Sequence, residues 1–495
     1  MPAQPSRRAV LASAVAGAAV LGSVAARTAD ASSRPLPISH DPALHAARRL
    51  SFGATPDLVA HIRSVGLSAW LDEQLTTTPD LHGTLSAPLS AVTPPPLVLA
   101  QMTPGQPVAD LQTATLARAA WGDHQLYEVM VELWSNHLSI HADQVGLLKV
   151  TDDSDVIRKH ALGSFTDMML ASCQSPAMLR YLNNDVSAGN SPNENYAREL
   201  MELHTVGATA GYTPAMVHDA ARALTGLTID STTQTFSYNA SWHSVGHLRV
   251  LGWSHPNTDA SKGLDVATSL VRYLASHPRT AKRIATKLVR RFVGDPVPAG
   301  LVASTAQVFL ANGTSIVPTL RHVLLSPEFA RSAGRKTQRP FEWVTAAIRS
   351  LGLQQDSSML TGGAAVVPMM QRLGQAPFEW VRPDGYPDTT AAWTTAQSLL
   401  SRWNTAQQLV NGGIAGLKPL DTAALIGTPV PTTAGALVDR LVQRILCQPA
   451  RPALKSALLT SAGLSAGRVL DKTTAQSLTP SLAALILSSP EAMVR

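Results

Sequence analysis

The sequence predicts a mainly α protein, a large multi-helix globular domain built around a central helical hairpin. Three observations predict it. The chain has 495 residues, 45% hydrophobic and 15% charged, which is enough apolar side chain for one large core or two smaller ones and excludes a disordered chain. Apolar residues recur at helical spacing through most of the length, with Pro, Gly, Ser, Thr and Asp where the runs begin and end. Residues 191–226 read as two capped helices joined by glycines.

The elements follow in order. The N-terminus, SRRAVLASAVAGAAVLGSVAARTADA, places paired Arg7 and Arg8 ahead of an Ala/Val-rich run that ends in Ala29-Asp30-Ala31. It resembles a twin-arginine export signal cleaved after Ala31, so residues 1–31 are expected to leave the mature chain. An uncleaved anchor is the alternative, and the run is weakly hydrophobic for one. Nothing later reads as a transmembrane span, so contact with a membrane is expected only through the signal segment. The partner this implies is the twin-arginine export machinery, and the destination is extracellular or the cell envelope and periplasm.

Residues 32–353 are expected to form a helical core domain, and 354–495 a C-terminal helical subdomain packed on it. Within the first, 41–75 reads as two helices broken at 53–56, 88–107 as a Pro-rich extended linker, 110–141 as one helix and 157–170 as another. Thr, Ser and aromatic residues alternate partially over 228–252, which predicts a short β-hairpin. Helical spacing resumes over 263–353, a Gly/Ser-rich stretch at 354–365 marks the boundary, and helices follow at 394–411 and 434–447. The two cysteines, Cys173 and Cys447, are read as free buried thiols, with one disulfide left open.

The hairpin carries the polar pattern. Ser191, Pro192 and Glu194 have the composition of a helix start. At about 100° per residue Glu194, Asn195, Arg198, Glu199, Glu202 and Thr205 fall within an arc of roughly 140°, with Tyr196, Leu200, Met201 and Leu203 outside it. Arg198 stands four residues from both Glu194 and Glu202 and is expected to bridge them. Gly207 and Gly211 reverse the chain, and Thr213-Pro214 starts a second helix whose polar arc holds His218, Asp219 and Arg222. Arg222 is expected to face the first helix.

NENYARELMELHTVG, GYT and ARALTG within this hairpin resemble the signature of the exported bacterial "domain of unknown function 1800" family. The resemblance extends through ARRLSFGAT, WSNHL, IRKHALGSF, PAMLRYLNN, HPRTAKRIATKLVRRFV and LGQAPFEWVRPDGYP, and so covers nearly all of the mature chain. It implies a largely helical fold, export and frequent genomic company with secreted phosphatase-like proteins, and it implies no particular activity. The chain departs from the family pattern at Ser244 and Leu248 in WHSVGHLRVLG, where an acid and a lysine are usual, and at Asn183 in YLNN, where an acid is usual.

Paired carboxylates perform acid–base hydrolysis when their surroundings hold one protonated and one ionised. Glu194, Glu199 and Glu202 are therefore the candidate catalytic residues, with His137, Asn184, Asn195, Arg198, Arg222 and His243 as candidate substrate-binding residues. The expected function is an acid–base hydrolase acting on an envelope or extracellular polymer such as a glycan. Two alternatives stay open: a non-catalytic scaffold in which the glutamate face is a buried ion-pair network, and a metalloprotein built on His137 and His141, four residues apart. His204 falls on the apolar side of the wheel and reads as a core histidine, so no metal ligands are assigned and the cofactor remains unknown. Arg158, Arg198 and Arg222 are considered as an anion-binding set. Trp134, Trp242, Trp380 and Trp393 read as core anchors sooner than as a sugar cleft. With net charge +6 and no basic run interleaved with aromatics, a nucleic-acid partner is not expected.

Overall fold

A computed structural model describes residues 39–76, 106–356 and 365–495. The signal segment, most of the 88–107 linker and most of the 354–365 boundary lie outside the described residues.

The described chain is mainly helical, with two small antiparallel sheets. One hydrophobic cluster runs from Ala43 to Met493, so side chains from both expected halves share it. The helix Pro340–Leu351 packs on Gln106–Trp121 and also on Ala434–Leu446, which brings residues from either side of the expected boundary into one core. Cys173 and Cys447 are buried free thiols. No helix among the described residues is long and apolar enough to cross a membrane.

Many helix starts are where side-chain chemistry puts them. Asp41, Thr55, Ser164, Thr213 and Thr433 each accept a backbone N–H at the first turn. Two expected helices and the expected hairpin break differently. The helix expected over 110–141 is two, Gln106–Trp121 and Gln125–His137, and His141 then precedes the short helix Ala142–Val145. The one expected over 157–170 is a π turn, Asp153–Arg158, and then Phe165–Cys173, because Ser164 caps a new start. The expected hairpin at 228–252 is a pair of two-stranded units, β1 (Leu227–Ile229) with β2 (Phe236–Tyr238) and β3 (Leu248–Val250) with β4 (Trp253–His255).

A buried ionic centre ties the ends of the fold together. Glu342 is contacted by Arg291, by Arg339 at 2.8 Å and by Arg495 at 3.1 Å, and all four side chains are buried. Arg339 also reaches Glu132 at 2.6 Å, and Lys336 reaches Asp388 at 2.8 Å. Burial alone would raise Glu342, but Arg291, Arg339 and Arg495 hold its carboxyl well below the usual range. Arg49, fully buried on the helix Pro42–Leu50, donates to the carbonyls of Phe292, Val293, Ser332 and Arg495 at 2.6–3.0 Å.

Candidate functional site

The central hairpin forms as expected and begins later. Asn193, not Ser191, caps the helix Glu194–Glu199, its side chain accepting the Asn195 N–H at 2.9 Å. Residues 191–193 are held in the incoming loop, where Ser191 N–H reaches the Ala188 carbonyl and Asn193 N–H the Ser187 hydroxyl. From Leu200 to His204 the helix widens into a π turn, which moves Glu202 off the line expected from a uniform wheel. Arg198 consequently pairs with Glu194 alone, at 3.2 Å, and the expected bridge to Glu202 is absent. The face is open: the Glu194 and Arg198 side chains are 40% and 43% exposed.

Glu199 has the informative surroundings. Burial raises its pKa, the carboxylates of Glu202 and Asp384 raise it further, and Arg198 opposes them. Its proton is therefore held to higher pH than on an ordinary glutamate. Asp384 comes from the segment 373–388, which is fastened to the helices Pro176–Tyr181 and Gln125–His137. The Tyr181 hydroxyl donates to the Val381 carbonyl at 2.8 Å, and the Trp380 indole donates to Asp384 at 2.7 Å. Asn136 and Tyr386 exchange side-chain-to-backbone bonds of 2.7 and 2.8 Å. Gly385, at φ 74°, lies so close to the Asn136 carbonyl that a Cβ there would stand 2.1 Å from it. Phe378 holds φ 64°, a region bulky residues seldom occupy.

Two tyrosines and a lysine complete the surroundings. Burial, then Asp384 and Glu199, push the Tyr181 phenol up to about 12; burial, then Glu202, do the same to Tyr212. From the helix Pro278–Phe292, Arg283 donates to the Leu203 carbonyl at 3.2 Å. Burial, reinforced by Arg283, lowers Lys287 to about 8 against the pull of Asp388 and Asp384. A carboxyl kept protonated beside further carboxylates can donate a proton to a leaving group while a neighbour accepts one.

The remaining candidates lie elsewhere. Asn195 is exposed beside Glu194, its amide donating to the Leu182 carbonyl at 3.3 Å. His137 is 2% exposed, packed against Trp134, Phe165 and His204, and donates through Nε2 to the His204 carbonyl at 3.0 Å. Burial, with Lys287 nearby, lowers its pKa well below the usual value, so it stays neutral behind the face. Asn184 is fully buried and donates to the carbonyls of Leu224 and Leu227. His243 is held between the Thr225 carbonyl and Asn257. Arg222 faces away from the first helix, onto Asp219, Ser244 and the carbonyls of Val245 and His247; His218 makes the cross-helix contact instead, with Glu194 at 3.3 Å. Asn184, Arg222 and His243 thus brace the hairpin's far end, and the structure does not bring them to the glutamates. Arg158 pairs with Glu128 and Asp153, apart from Arg198 and Arg222. His141 lies beyond the end of the helix that carries His137, and among the described residues no three His, Cys, Asp or Glu side chains converge enough to hold a metal ion. Trp134 and Trp393 are buried, as core anchors are, whereas Trp242 is 37% exposed and Trp380 is half-buried at the site.

A family model described as a protein of unknown function, DUF1800, matches residues 45–494. The chain belongs to the DUF1800 family. No curated protein and no solved structure matches it. In this DUF1800 chain two of the segments that carry the resemblance, NENYARELMELHTVG and LGQAPFEWVRPDGYP, start about 180 residues apart, yet the charge of Asp384 in the second acts on Glu199 in the first. Asp384, Tyr181 and Tyr212 were not singled out in the sequence. The signal that pointed to Asp384 was its place in the second of those segments.

Proposed function

We propose that this DUF1800 protein is an exported acid–base hydrolase acting on an envelope or extracellular polymer such as a glycan. The observation that supports it is Glu199, half-buried on an open face between Glu202 and Asp384, with its pKa raised by all three influences. Glu199 serves as the proton donor and Glu202 as the accepting carboxylate; Arg198 and Asn195 line the approach. Export by the twin-arginine route rests on the paired arginines ahead of the apolar run.

The test is release of reducing ends from soluble envelope polysaccharide by the mature chain and by Glu199→Gln, Glu202→Gln and Glu194→Gln. Loss of acid or base function costs about 10²–10⁴-fold in rate, so the first two variants fall by that much and Glu194→Gln, whose side chain serves an exposed ion pair, stays within a few-fold. Full turnover in all three removes the hydrolase reading.

One observation favours a second reading, a non-catalytic scaffold for an exported partner: Val186, Val245 and Trp242 are 69%, 49% and 37% exposed on the bracing loops. It predicts that no glutamate substitution changes any hydrolytic rate, while Val186→Asp with Val245→Asp abolishes partner binding.

A further inference from the structure

The helix Pro278–Phe292 carries six basic residues and no acidic one. Arg291 belongs to the buried network with Glu342 and Glu132, Arg290 pairs with Asp295 at 3.0 Å, and Arg279 donates to the Thr209 carbonyl at 3.0 Å. Arg283 is bound through Nε alone, to the Leu203 carbonyl, and Lys287 has no hydrogen bond or ion pair among the described residues. Both side chains are half-buried, and neither the Lys287 ammonium nor the outer nitrogens of Arg283 are sealed from solvent.

An ammonium drawn this far into a protein is normally met by a carboxylate. The carboxylates whose charge reaches Lys287 are held by other cations: Asp388 by Lys336 at 2.8 Å, and Asp384 by Arg382 at 3.1 Å as well as by the Trp380 indole. His137 and His204, whose titration Lys287 also disfavours, are kept neutral by burial and bring no countercharge. Arg283 adds a like charge one helical turn away, since side chains four residues apart on a helix stand about 5–6 Å from each other. What this pair of cations lacks is an anion.

The pair is tied to the candidate site. Asp384 acts by charge on both Lys287 and Glu199, while Tyr212 is acted on by Glu202 and itself acts on Arg283. The Leu203 carbonyl that Arg283 holds is next in the chain to Glu202. A guanidinium and an ammonium one turn apart can share a single carboxylate or phosphate, through charge-assisted hydrogen bonds. A neutral hydroxyl would leave both cations without a countercharge.

We propose that the polymer acted on at the glutamate face is anionic, and that Arg283 and Lys287 together receive the carboxylate or phosphate of one of its units. This rests on the hydrolase reading for the polymer and adds its charge. The test reads binding alone, in a Glu199→Gln chain, so the charge preference is measured whether or not the glutamates prove catalytic.

The experiment titrates the full mature chain carrying Glu199→Gln with tetragalacturonate, with a phosphodiester-linked glycerol phosphate tetramer, with neutral maltotetraose and with an oligothymidylate of equal charge, followed by calorimetry. At least one of the first two binds saturably and at least about 10-fold tighter than maltotetraose, and added salt weakens it; the tighter of the two assigns carboxylate or phosphate. Adding Lys287→Gln weakens that binding by about 10-fold, a typical loss for one charge-assisted contact, and Lys287→Arg keeps most of it. Lys287→Gln leaves the unfolding midpoint in place, because the ammonium has no partner in the chain to lose. Lys282→Gln, at an exposed position on the same helix, changes the affinity little. Should Lys287→Gln fail to fold, Arg283→Gln and the comparison of anionic with neutral probes decide. The proposal is overturned by no saturable binding of either anionic probe up to about 10 mM, where even a weakly held group registers, by maltotetraose or the oligothymidylate binding as tightly, by unchanged affinity in Lys287→Gln, or by an equal loss in Lys282→Gln.

Discussion

Glu199 and Glu342 are both glutamates with neighbours in reach, and their surroundings drive them in opposite directions. Three arginines hold Glu342 ionised, whereas Glu199 is desolvated among other carboxylates with one opposing arginine. A carboxyl whose pKa is raised on folding binds more protons in the native state, so its contribution to stability is present below the unfolded value and is lost as pH rises through the folded one. Glu199→Gln removes that loss. The variant is therefore expected to melt at pH 7 at the parent's temperature or slightly above it, measured by calorimetry, even as turnover disappears. If Glu199 were instead a member of a stabilising ion-pair ladder, the same exchange would lower the melting temperature. The helix wheel gathered Glu194, Asn195, Arg198 and Glu199 on the regular helix, because period and composition are local properties, and it misjudged Glu202, which the π turn shifts. It had no means of adding Asp384, whose approach depends on how a distant segment docks. His137 was misplaced for the complementary reason: its polarity was visible, and its packing against Trp134, Phe165 and His204 was not.

At the scale of elements, capping chemistry was the most legible part of the sequence. Thr213-Pro214 starts the second hairpin helix, its side chain accepting from Met216, and Gly207 and Gly211 reverse the chain at φ 90° and 85°. The π turns were not legible, because an extra residue in a turn leaves apolar periodicity nearly intact. Their effects are local: one turn takes Glu202 out of reach of Arg198, and the other carries Asp153, which pairs with Arg158. The segment 373–388 carries Asp384, which acts on Glu199. Its fit depends on Gly385. Gly385→Ala is expected to destabilise the chain by about 1–3 kcal/mol, from the positive φ and the collision with the Asn136 carbonyl together, read by urea unfolding. It should also lower turnover, since the segment carries Asp384, which acts on Glu199. Unchanged turnover in a destabilised variant would show that the glutamate face does not depend on this segment.

Across the whole molecule, structural ion pairing and the candidate chemistry rest on different residues. The scaffold alternative placed the buried network on the central helix. The described structure has its buried network around Glu342, Glu132 and Asp388, where Arg49, Arg291, Arg339, Lys336 and Arg495 converge from the helix Pro42–Leu50, from 291–339 and from residue 495. That assembly was illegible in the sequence because its members, the group Lys336, Arg339 and Glu342 apart, are scattered over about 450 residues. Breaking it by Glu342→Gln leaves buried guanidinium groups unpaired and is expected to cost about 3–5 kcal/mol, measured as the shift in unfolding free energy at pH 7. Because the folded pKa of Glu342 lies below its unfolded value, its stabilisation is present above the unfolded value and fades as pH falls through the folded one. The parent's acid-unfolding transition should therefore flatten in the variant. The helical class follows from composition and periodicity, which is why it could be read before the network; the choice between one large core and two smaller ones stayed open in the sequence, and the cluster that spans both expected halves decides it.

The most direct test of the central claim is the pH dependence of kcat/KM for release of reducing ends from envelope polysaccharide, compared between the parent and Asp384→Asn. Asp384 is exposed and contributes to the raised pKa of Glu199 through charge. The account predicts an alkaline limb above the range of an ordinary glutamate in the parent and its displacement to lower pH in Asp384→Asn, with the unfolding midpoint unchanged. An alkaline limb that stays in place when the Asp384 charge is removed would contradict it.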